Sequence, residues 1–289
     1  MKVGGGTTGG GNVARRMWAL FEPIHAVTYF APQSRAAFEA VGLRGFWRGY
    51  FAGRAAPLGT IGPAPVVAAF FGFAPDFVAR AIPDVWQRAA PEAALDARLR
   101  GAVDVLGAAA PSTVDDLGEA LDLLSRATSG LDHAGRVLAA ANAALPEPDE
   151  PLARLWQATT LLREHRGDGH VAALVGAGLT GCESLVLRAG LDLPKELLQP
   201  ARGWTDEQWR AAVERLGERG WLTGDGRATA EGAAAYQAVE DTTDRCAAGP
   251  WEALGSAGTD RLARLLAPLS LACRAGLPQP NPIGLVTVD

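Results

Sequence analysis

The sequence predicts a mainly α-helical protein with one short β-hairpin in its second half. Apolar residues recur every three or four positions through most of the chain, which is the spacing of a buried helix face. Proline and glycine interrupt this spacing at short intervals and predict loops between the helices. The Asp225-Gly226 pair between two short runs is typical of a tight hairpin turn.

The composition is that of a globular protein, because 48% of the 289 residues are hydrophobic and 20% are charged. This length exceeds one typical domain, so we expect two subdomains. The chain has neither an uncharged apolar run of membrane-spanning length nor the apolar core of a secretory signal, so we expect a cytoplasmic protein without a membrane partner. The net charge of −5 argues against a protein that coats nucleic acid.

The first half begins with residues 1–12, which lack any period and are expected to form a disordered leader. An amphipathic helix is predicted over residues 13–29 despite Pro23, and a short helix follows over residues 34–42. Later helices are predicted over residues 63–73, 75–82, 96–110, 113–128 and 134–144.

Between these helices, the aromatic residues 43–59 carry glycine at every fourth position: Gly45, Gly49 and Gly53. On a helix this spacing leaves one face bare. Another helix or a ligand can approach such a face closely.

Residues 146–151 combine proline with acidic residues and are the clearest linker in the chain. We place the domain boundary there, between a helical N-terminal domain of residues 13–145 and a C-terminal domain of residues 152–289. The C-terminal domain is predicted to contain helices over residues 152–165, 168–178, 180–190, 205–219, 230–247 and 259–274, with the hairpin at residues 221–229.

Three helices, a hairpin and a further helix follow one another in the order of a winged helix. The text of residues 216–222 and 225–232, LGERGWL and DGRATAEG, resembles the wing of MarR-type regulators. This resemblance covers roughly residues 152–247 and implies a fold more than an activity. Taken whole, residues 14–284 resemble an actinobacterial family of helix-turn-helix proteins, for which no catalytic residues are implied.

An internal similarity links the two halves of the chain. The text Val41-Gly42-Leu43-Arg44-Gly45 is similar to Ala177-Gly178-Leu179-Thr180-Gly181, and each follows an Ala-Arg pair and a tryptophan at a comparable interval. Two alternatives are open: a divergent winged-helix copy in the N-terminal half, or chance similarity in a chain rich in alanine and glycine. A true duplication would place a cleft between two related halves.

Residues 163–170 hold half of the chain's four histidines among other charged side chains. Gly167 and Gly169 predict a helix break here. One interpretation is an acid–base site facing the cleft, with His165 or His170 as general base and Glu164 or Asp168 as the partner that orients it. The other is a capped kink, with Asp168 as the N-cap of the next helix and the histidines on the surface.

Metal ligation by the same histidines and carboxylates, with an enzyme assisted by a metal or another cofactor, is an open alternative, but we assign no metal ligand and name no cofactor. The two histidines of this segment are spaced His-x4-His across the expected break and match no known zinc spacing. The three cysteines, Cys182, Cys246 and Cys273, lack a CxxC spacing, so we expect them to be small buried residues.

A ligand-binding wall is the second candidate site. Its aromatic residues would form the wall of a pocket for a planar small molecule, with Arg48 or Arg54 meeting a carboxylate. The alternative for the same residues is ordinary core packing, and His25 on its aromatic helix face is either a satisfied core histidine or a member of this site. The candidate residues are His25, Tyr29, Trp47, Arg48, Tyr50 and Arg54.

DNA binding is not favoured by charge, because the predicted recognition helix at residues 205–219 carries four acidic residues against three arginines. The first hypothesis is therefore a ligand-responsive winged-helix protein that binds a small aromatic or amphipathic metabolite, with weakened regulatory DNA binding. The alternatives are an enzyme on the same scaffold, using the histidine and carboxylate cluster, and a protein-interaction module. The oligomeric state is left open.

Overall fold

The computed structural model describes residues 9–109 and 117–285, and within them the mainly α-helical prediction is confirmed. The first half contains α1 (Gly9–Phe30), α2 (Pro32–Ala40), α3 (Phe46–Ala55), the 3-10 helix η1 (Ala56–Leu58), α4 (Pro63–Phe70), α5 (Pro75–Ala79), α6 (Asp84–Arg88), α7 (Pro91–Ala109), α8 (Leu117–Thr128) and α9 (Val137–Ala143). The second half contains α10 (Pro151–Gly176), α11 (Gly181–Ala189), α12 (Lys195–Arg202), α13 (Asp206–Glu218), α14 (Ala230–Cys246) and α15 (Gly249–Ala275).

Three predicted segments fall partly outside these limits. Residues 1–8 of the predicted leader, residue 110 of one predicted helix and residues 113–116 of the next lie outside the described residues. From Gly9 the predicted leader is already part of α1.

The predicted break at residues 167–169 is wrong, because α10 runs without interruption through both glycines. A Cβ on residue 169 would lie 2.8 Å from Arg136 Nη1 and 2.9 Å from Cys246 Cβ. Gly169 therefore allows a close approach by α14 and the Arg136 side chain. Helix-interior glycine costs up to about 1 kcal/mol, which the packing of neighbouring helices offsets.

The predicted pair of strands at residues 221–229 is also wrong, since no strand forms within the described residues. A single antiparallel bridge joins Leu222 to Ala228. The amide of Ala228 donates to the Gly190 carbonyl at the end of α11 (3.0 Å), so it is not free to extend a ladder. Thr229 is the N-cap of α14, so the chain enters a helix at the next residue and the ladder does not continue beyond the single bridge.

Helices from both sides of residues 146–151 share the largest apolar core. Met17 and Phe21 of α1, Trp156 of α10 and Leu266 of α15 are all buried in it. Residues 146–150 connect α9 to α10, where the Glu150 carboxylate caps α10 by accepting from the amides of Leu152 and Ala153 (3.1 and 2.7 Å). The division into two domains stays a prediction.

The two similar segments end their preceding helices in the same way. Gly42 and Gly178 both have a positive φ, of 90° and 66°. The next residue in each case donates back to the carbonyl five positions earlier, Leu43 to Phe38 (3.0 Å) and Leu179 to Leu174 (3.1 Å). This is the Schellman geometry of a glycine C-cap. It also ends the helices before Gly203 and Gly220, so it does not distinguish a duplication, which stays a prediction.

The bare glycine face of α3 receives a helix rather than a ligand. A Cβ on Gly49 or Gly53 would lie 2.9 or 2.7 Å from the ring of Phe38 on α2. The spacing of these glycines is therefore explained by the packing of two helices.

No single helix in the described part of the chain is long and apolar enough to cross a membrane. The bent pair α10 and α11, at 92° to one another, passes the same test by length and composition alone.

Candidate functional site

A cavity of about 610 Å³ lies between helices of the two halves. α1, α3 and the turn after α4 line one side, and α10, α11, α12 and α14 line the other. Residues 282–284 close part of it. A volume of this size accommodates a small organic molecule.

One wall of the cavity is aromatic. The rings of Tyr29 and Tyr50 lie 5.0 Å apart between centroids, and those of Trp47 and Tyr50 lie 5.7 Å apart. The structure thus brings together three of the predicted ligand-binding aromatic residues. The lining also contains Trp18, Phe30, Phe46, Phe70, Phe71, Phe73 and Tyr236.

Arg54 also lines the cavity, whereas Arg48 does not. The Arg48 guanidinium instead pairs with Asp84 (Nε–Oδ2, 3.2 Å), and both side chains are exposed. Arg54 is buried and donates to both carboxylate oxygens of Glu164, at 3.3 and 3.1 Å. Neither predicted arginine is therefore free of a carboxylate partner.

Glu164 lies just behind the cavity wall, between two guanidiniums. Besides Arg54, Arg163 donates to its Oε2 at 2.8 Å. Burial alone would raise the pKa of Glu164, but the charges of Arg163 and Arg54 lower it to about 2. Glu164 is therefore ionised at neutral pH and is paired with arginines rather than with a histidine.

His25 is buried behind the aromatic wall and connects to the cavity through Tyr29. Its Nδ1 lies 2.9 Å from Thr160 Oγ1, and that hydroxyl donates to the Trp156 carbonyl (2.9 Å). Nδ1 is therefore assigned the proton, which leaves Nε2 to accept from the Tyr29 hydroxyl at 2.7 Å. Burial lowers the pKa of His25 and raises the pKa of Tyr29, so both rings are neutral at pH 7.

His170 is the one histidine of residues 163–170 that lines the cavity. Its Nδ1 lies 2.9 Å from Thr243 Oγ1, and this hydroxyl donates to the Val239 carbonyl (2.8 Å). Because the Thr243 hydroxyl uses its own proton in that bond, Nδ1 of His170 carries a proton and Nε2 is left as an acceptor. Glu240 Oε1 lies 3.8 Å from Nδ1. Burial lowers the pKa of His170 to about 4.

Asp168 caps a helix, as the capped-kink interpretation proposed, but a different helix from the one expected. Its Oδ2 accepts from the amides of Leu138 and Ala139 in the first turn of α9, both at 2.9 Å. Burial raises the pKa of Asp168 to about 6. His165 is buried and does not line the cavity.

Several cavity residues were not predicted from the sequence. On a continuous helix Arg163, Arg166 and His170 share one face, so the assumed break hid this signal. Arg188, Arg202 and Tyr236 reach the cavity from helices distant in sequence, and no local pattern marks them. The described residues contain no cluster of three or more histidine, cysteine or acidic side chains able to hold a metal ion.

α11 to α14 form a lobe of their own around Leu187, Trp209, Ala212 and Leu216. α12 and α13 are joined by three residues that include Gly203, which is the spacing of a helix-turn-helix. Thr205 and Gln208 form a capping box that fixes the start of α13.

The exposed face of α13 is acidic. Arg215 pairs with Glu183 of α11 (2.5 Å), and Arg219 donates to the carbonyls of Gly178 and Ala177. These two arginines are therefore engaged within the lobe. Asp206 likewise pairs with Lys195 (Nζ–Oδ1, 3.2 Å), and the remaining exposed charges of the helix are Glu207, Arg210, Glu214 and Glu218.

The lobe is fastened to the first half beside the cavity. The Ala74 amide donates to the Arg202 carbonyl, and the Trp204 indole donates to the Gly72 carbonyl, both at 2.9 Å. Phe71, which lines the cavity, has φ 43° and ψ −59°, and the Gly72 amide donates to the Phe70 carbonyl across it. This is a γ-turn of the strained kind, and it contacts Gly181 at the start of α11.

Lowering the pH from 7 to 5 is expected to destabilise the protein through its buried histidines, His25, His165 and His170. Asp168 offsets part of this loss, because its raised pKa of about 6 lets the folded protein take up that proton before the unfolded chain does. Burial lowers the pKa of His165 and His170 to about 4, against about 6.5 when unfolded. The stability they contribute as neutral rings is therefore complete above pH 6.5 and is lost towards pH 4, at roughly 1 kcal/mol per histidine per pH unit. Urea unfolding at pH 7, 6 and 5 measures this loss. His170→Asn should give a shallower dependence, and an unchanged slope would contradict the assignment.

Comparison with protein families matches residues 14–279 to a family described as a helix-turn-helix family. No curated protein and no solved structure matches the chain.

Proposed function

We infer, from the fact that the chain belongs to the helix-turn-helix family, that it is a ligand-responsive regulator that binds a small aromatic or amphipathic molecule in the cavity. The observation that carries this proposal is the position of the cavity. It is bounded by α11 and α12 of the helix-turn-helix lobe and by helices of the first half. A molecule bound there would contact both parts of the protein and would change the free energy of any motion between them.

The lining favours a planar ligand with polar groups. The aromatic wall offers ring faces for stacking, and the opposite side carries arginines and His170. Tyr29 adds a hydroxyl oxygen whose proton is directed to His25, so this oxygen can accept a hydrogen bond from a ligand.

DNA binding by this lobe would be weak and sensitive to salt. α13 is the recognition helix of the proposed arrangement, and the bridge between Leu222 and Ala228 takes the place of the wing of MarR-type regulators. Because acidic side chains dominate the exposed face of α13, contacts with phosphates would be few. The family match supports DNA binding at the coarse level, and the acidic face of α13 limits only the strength that we expect of it.

Fluorescence titration with N-phenyl-1-naphthylamine, a neutral aromatic probe, tests for ligand binding. We expect saturable binding of one probe per chain, and weaker binding in Ala201→Phe, which adds a ring to the cavity lining. Ala238→Phe makes the same change on the exposed side of α14 and should bind the probe as the wild type does. Absence of saturable binding, or equal binding by both variants, would refute the cavity as a ligand site.

Fluorescence anisotropy with labelled DNA from the protein's own promoter tests the second half. We expect binding at low salt that weakens steeply as salt increases, together with a change in affinity when the probe is bound. No binding at micromolar protein and low salt would remove DNA from the proposal while leaving the ligand site standing.

An enzyme on the same scaffold is the second candidate, and His170 is the observation that favours it. This ring lines the cavity with Nε2 free to accept a proton. However, Glu164 is held by arginines and Asp168 by α9, so neither carboxylate orients the ring. Native mass spectrometry of the freshly purified protein would identify a retained compound, and a substrate–product pair would favour the enzyme.

A further inference from the structure

The C-terminal segment of the described chain is a compact turn lying over one end of the cavity. Asn281 is 1% exposed, and its Oδ1 accepts from the amides of Ile283, Gly284 and Leu285 at 3.0 to 3.3 Å. Its Nδ2 donates to the Leu285 carbonyl (3.3 Å). One buried asparagine therefore shapes the whole turn.

Two arginines of the helix-turn-helix lobe hold this turn by its backbone. Arg202 Nη2 donates to the Pro282 carbonyl at 3.2 Å, and Arg188 Nη1 donates to the Ile283 carbonyl at 3.3 Å. The acceptors are neutral carbonyls at adjacent positions. The two guanidiniums thus converge on one spot at the edge of the cavity.

The charge at this spot is only partly balanced by the protein, because Arg188 has a carboxylate partner and Arg202 has none among the described residues. Arg54, Arg163 and Arg166 each pair with carboxylates inside the structure. Arg188 pairs with Asp192, which is half exposed (Nε–Oδ1, 3.2 Å). Among the described residues, no carboxylate pairs with Arg202, and its guanidinium donates to the carbonyls of Ala201 and Pro282.

The environment of Arg202 makes this lack of a partner costly. The guanidinium lies 4.7 Å from the centroid of the Phe73 ring, and burial followed by the repulsion of other arginines lowers the pKa of Arg202. A hydrogen bond from a guanidinium to an anion is roughly twice as strong as one to a neutral acceptor. A negatively charged group at this position would therefore compete well against the two carbonyls.

We propose that Arg202 and Arg188 form an anion subsite of the cavity, which the turn at residues 281–285 occupies with its own carbonyls until a ligand bearing a carboxylate or sulfonate displaces it. The proposal rests on the ligand-binding function above and specifies the ligand class as a monoanion with an aromatic or amphipathic body. The body lies against the aromatic wall, and the anion replaces Pro282 and Ile283 at the guanidiniums.

The subsite also adjoins the helix-turn-helix. Arg202 is the last residue of α12, and its carbonyl accepts from the Ala74 amide of the first half. The next three residues lead directly into α13. An anion that draws the Arg202 side chain away from the turn thus acts at the joint from which the recognition helix begins.

A matched pair of probes tests the subsite in the full chain. 8-Anilinonaphthalene-1-sulfonate and N-phenyl-1-naphthylamine share one ring system and differ in the sulfonate. We expect Arg202→Gln to weaken binding of the sulfonate probe about 10-fold and to change binding of the neutral probe less than about 2-fold. Arg202→Lys retains the charge and should retain most of the preference. Arg48→Gln, outside the cavity, should change neither affinity.

A variant of the turn tests the competition from the other side. Asn281→Ala removes the side chain that shapes the turn, so the sulfonate probe should bind several-fold more tightly, with a smaller change for the neutral probe. Melting temperatures identify variants that fail to fold. If Arg202→Gln does not fold, Arg202→Lys and Asn281→Ala still test the subsite.

The outcomes separate this inference from the function on which it rests. If the wild type binds the neutral probe but Arg202→Gln lowers both affinities equally, or neither, the anion subsite is wrong and the ligand cavity stands. If Asn281→Ala leaves the sulfonate affinity unchanged, the turn is not a competitor. Wild-type protein that binds neither probe would refute the proposed function itself.

Discussion

Glu164→Gln is expected to lower the free energy of unfolding by about 3–5 kcal/mol, the cost of removing one member of a buried ion pair. The Glu164 side chain is 3% exposed, and its two oxygens accept from Arg54 and Arg163. Glutamine has nearly the same shape but no charge. The guanidiniums of Arg54 and Arg163 would remain close together without the anion between them. Arg163 would keep a second carboxylate, Glu22 (Nε–Oε1, 3.6 Å), whereas the buried Arg54 would lose its ion pair.

The control for this variant is Glu119→Gln. Glu119 pairs with Arg261 at 2.5 Å, but these side chains are 48% and 39% exposed. A surface ion pair contributes at most about 1 kcal/mol, so this loss should be small. Urea unfolding of both variants at pH 7 makes the comparison. Equal losses would show that the Glu164 charge is not needed to hold the two arginines.

The dependence on pH distinguishes charge from shape. The pKa of Glu164 is about 2 in the folded protein, below its usual value near 4.3. The stability from the ionised carboxylate is therefore complete above pH 4.3 and is lost as the pH falls through 2. The difference between wild type and Glu164→Gln should narrow in that range.

The aromatic wall could be predicted from the sequence because its residues are close together in the chain. Tyr29, Trp47, Tyr50 and Arg54 lie on α1 and α3, and all four line the cavity. The glycine spacing also predicted that a helix or a ligand approaches α3 closely. In the structure the approaching residue is Phe38 of α2. These features depend on local period and residue size, which a single sequence displays.

The rest of the site depends on contacts that no local pattern contains. Gly169 is needed for the approach of Arg136 and α14, so the glycine that indicated a break is a packing residue inside α10. One of the two interpretations had Glu164 or Asp168 orient a histidine. In the structure Glu164 is bound by Arg163 and by Arg54, 110 residues away, and Asp168 by amides about 30 residues away. Arg202 reaches the cavity only once the helix-turn-helix lobe has docked.

The docking of this lobe against the first half can be tested by adding a single methyl group at Gly181. Gly181→Ala is expected to lower the free energy of unfolding by about 3 kcal/mol, because the added Cβ would overlap the carbonyl oxygen of Phe71. Phe71 already holds a strained γ-turn, so its backbone has little freedom to move aside. The start of α11 must then separate from the first half, and the hydrogen bond from Trp204 to Gly72 is weakened.

The control is Gly217→Ala, where no atom lies within 4 Å of the added Cβ. Gly217 lies within α13, so alanine should stabilise the protein by up to about 1 kcal/mol through helix propensity. Helix propensity would at most favour alanine at position 181, so a loss there is a lower limit for the cost of the contact with the backbone of Phe71 and Gly72. Urea unfolding gives both values, and a Gly181→Ala protein as stable as the wild type would show that the joint is not tightly packed.

If the joint couples the cavity to α13, probe binding in the Gly181→Ala variant should no longer alter the affinity for DNA.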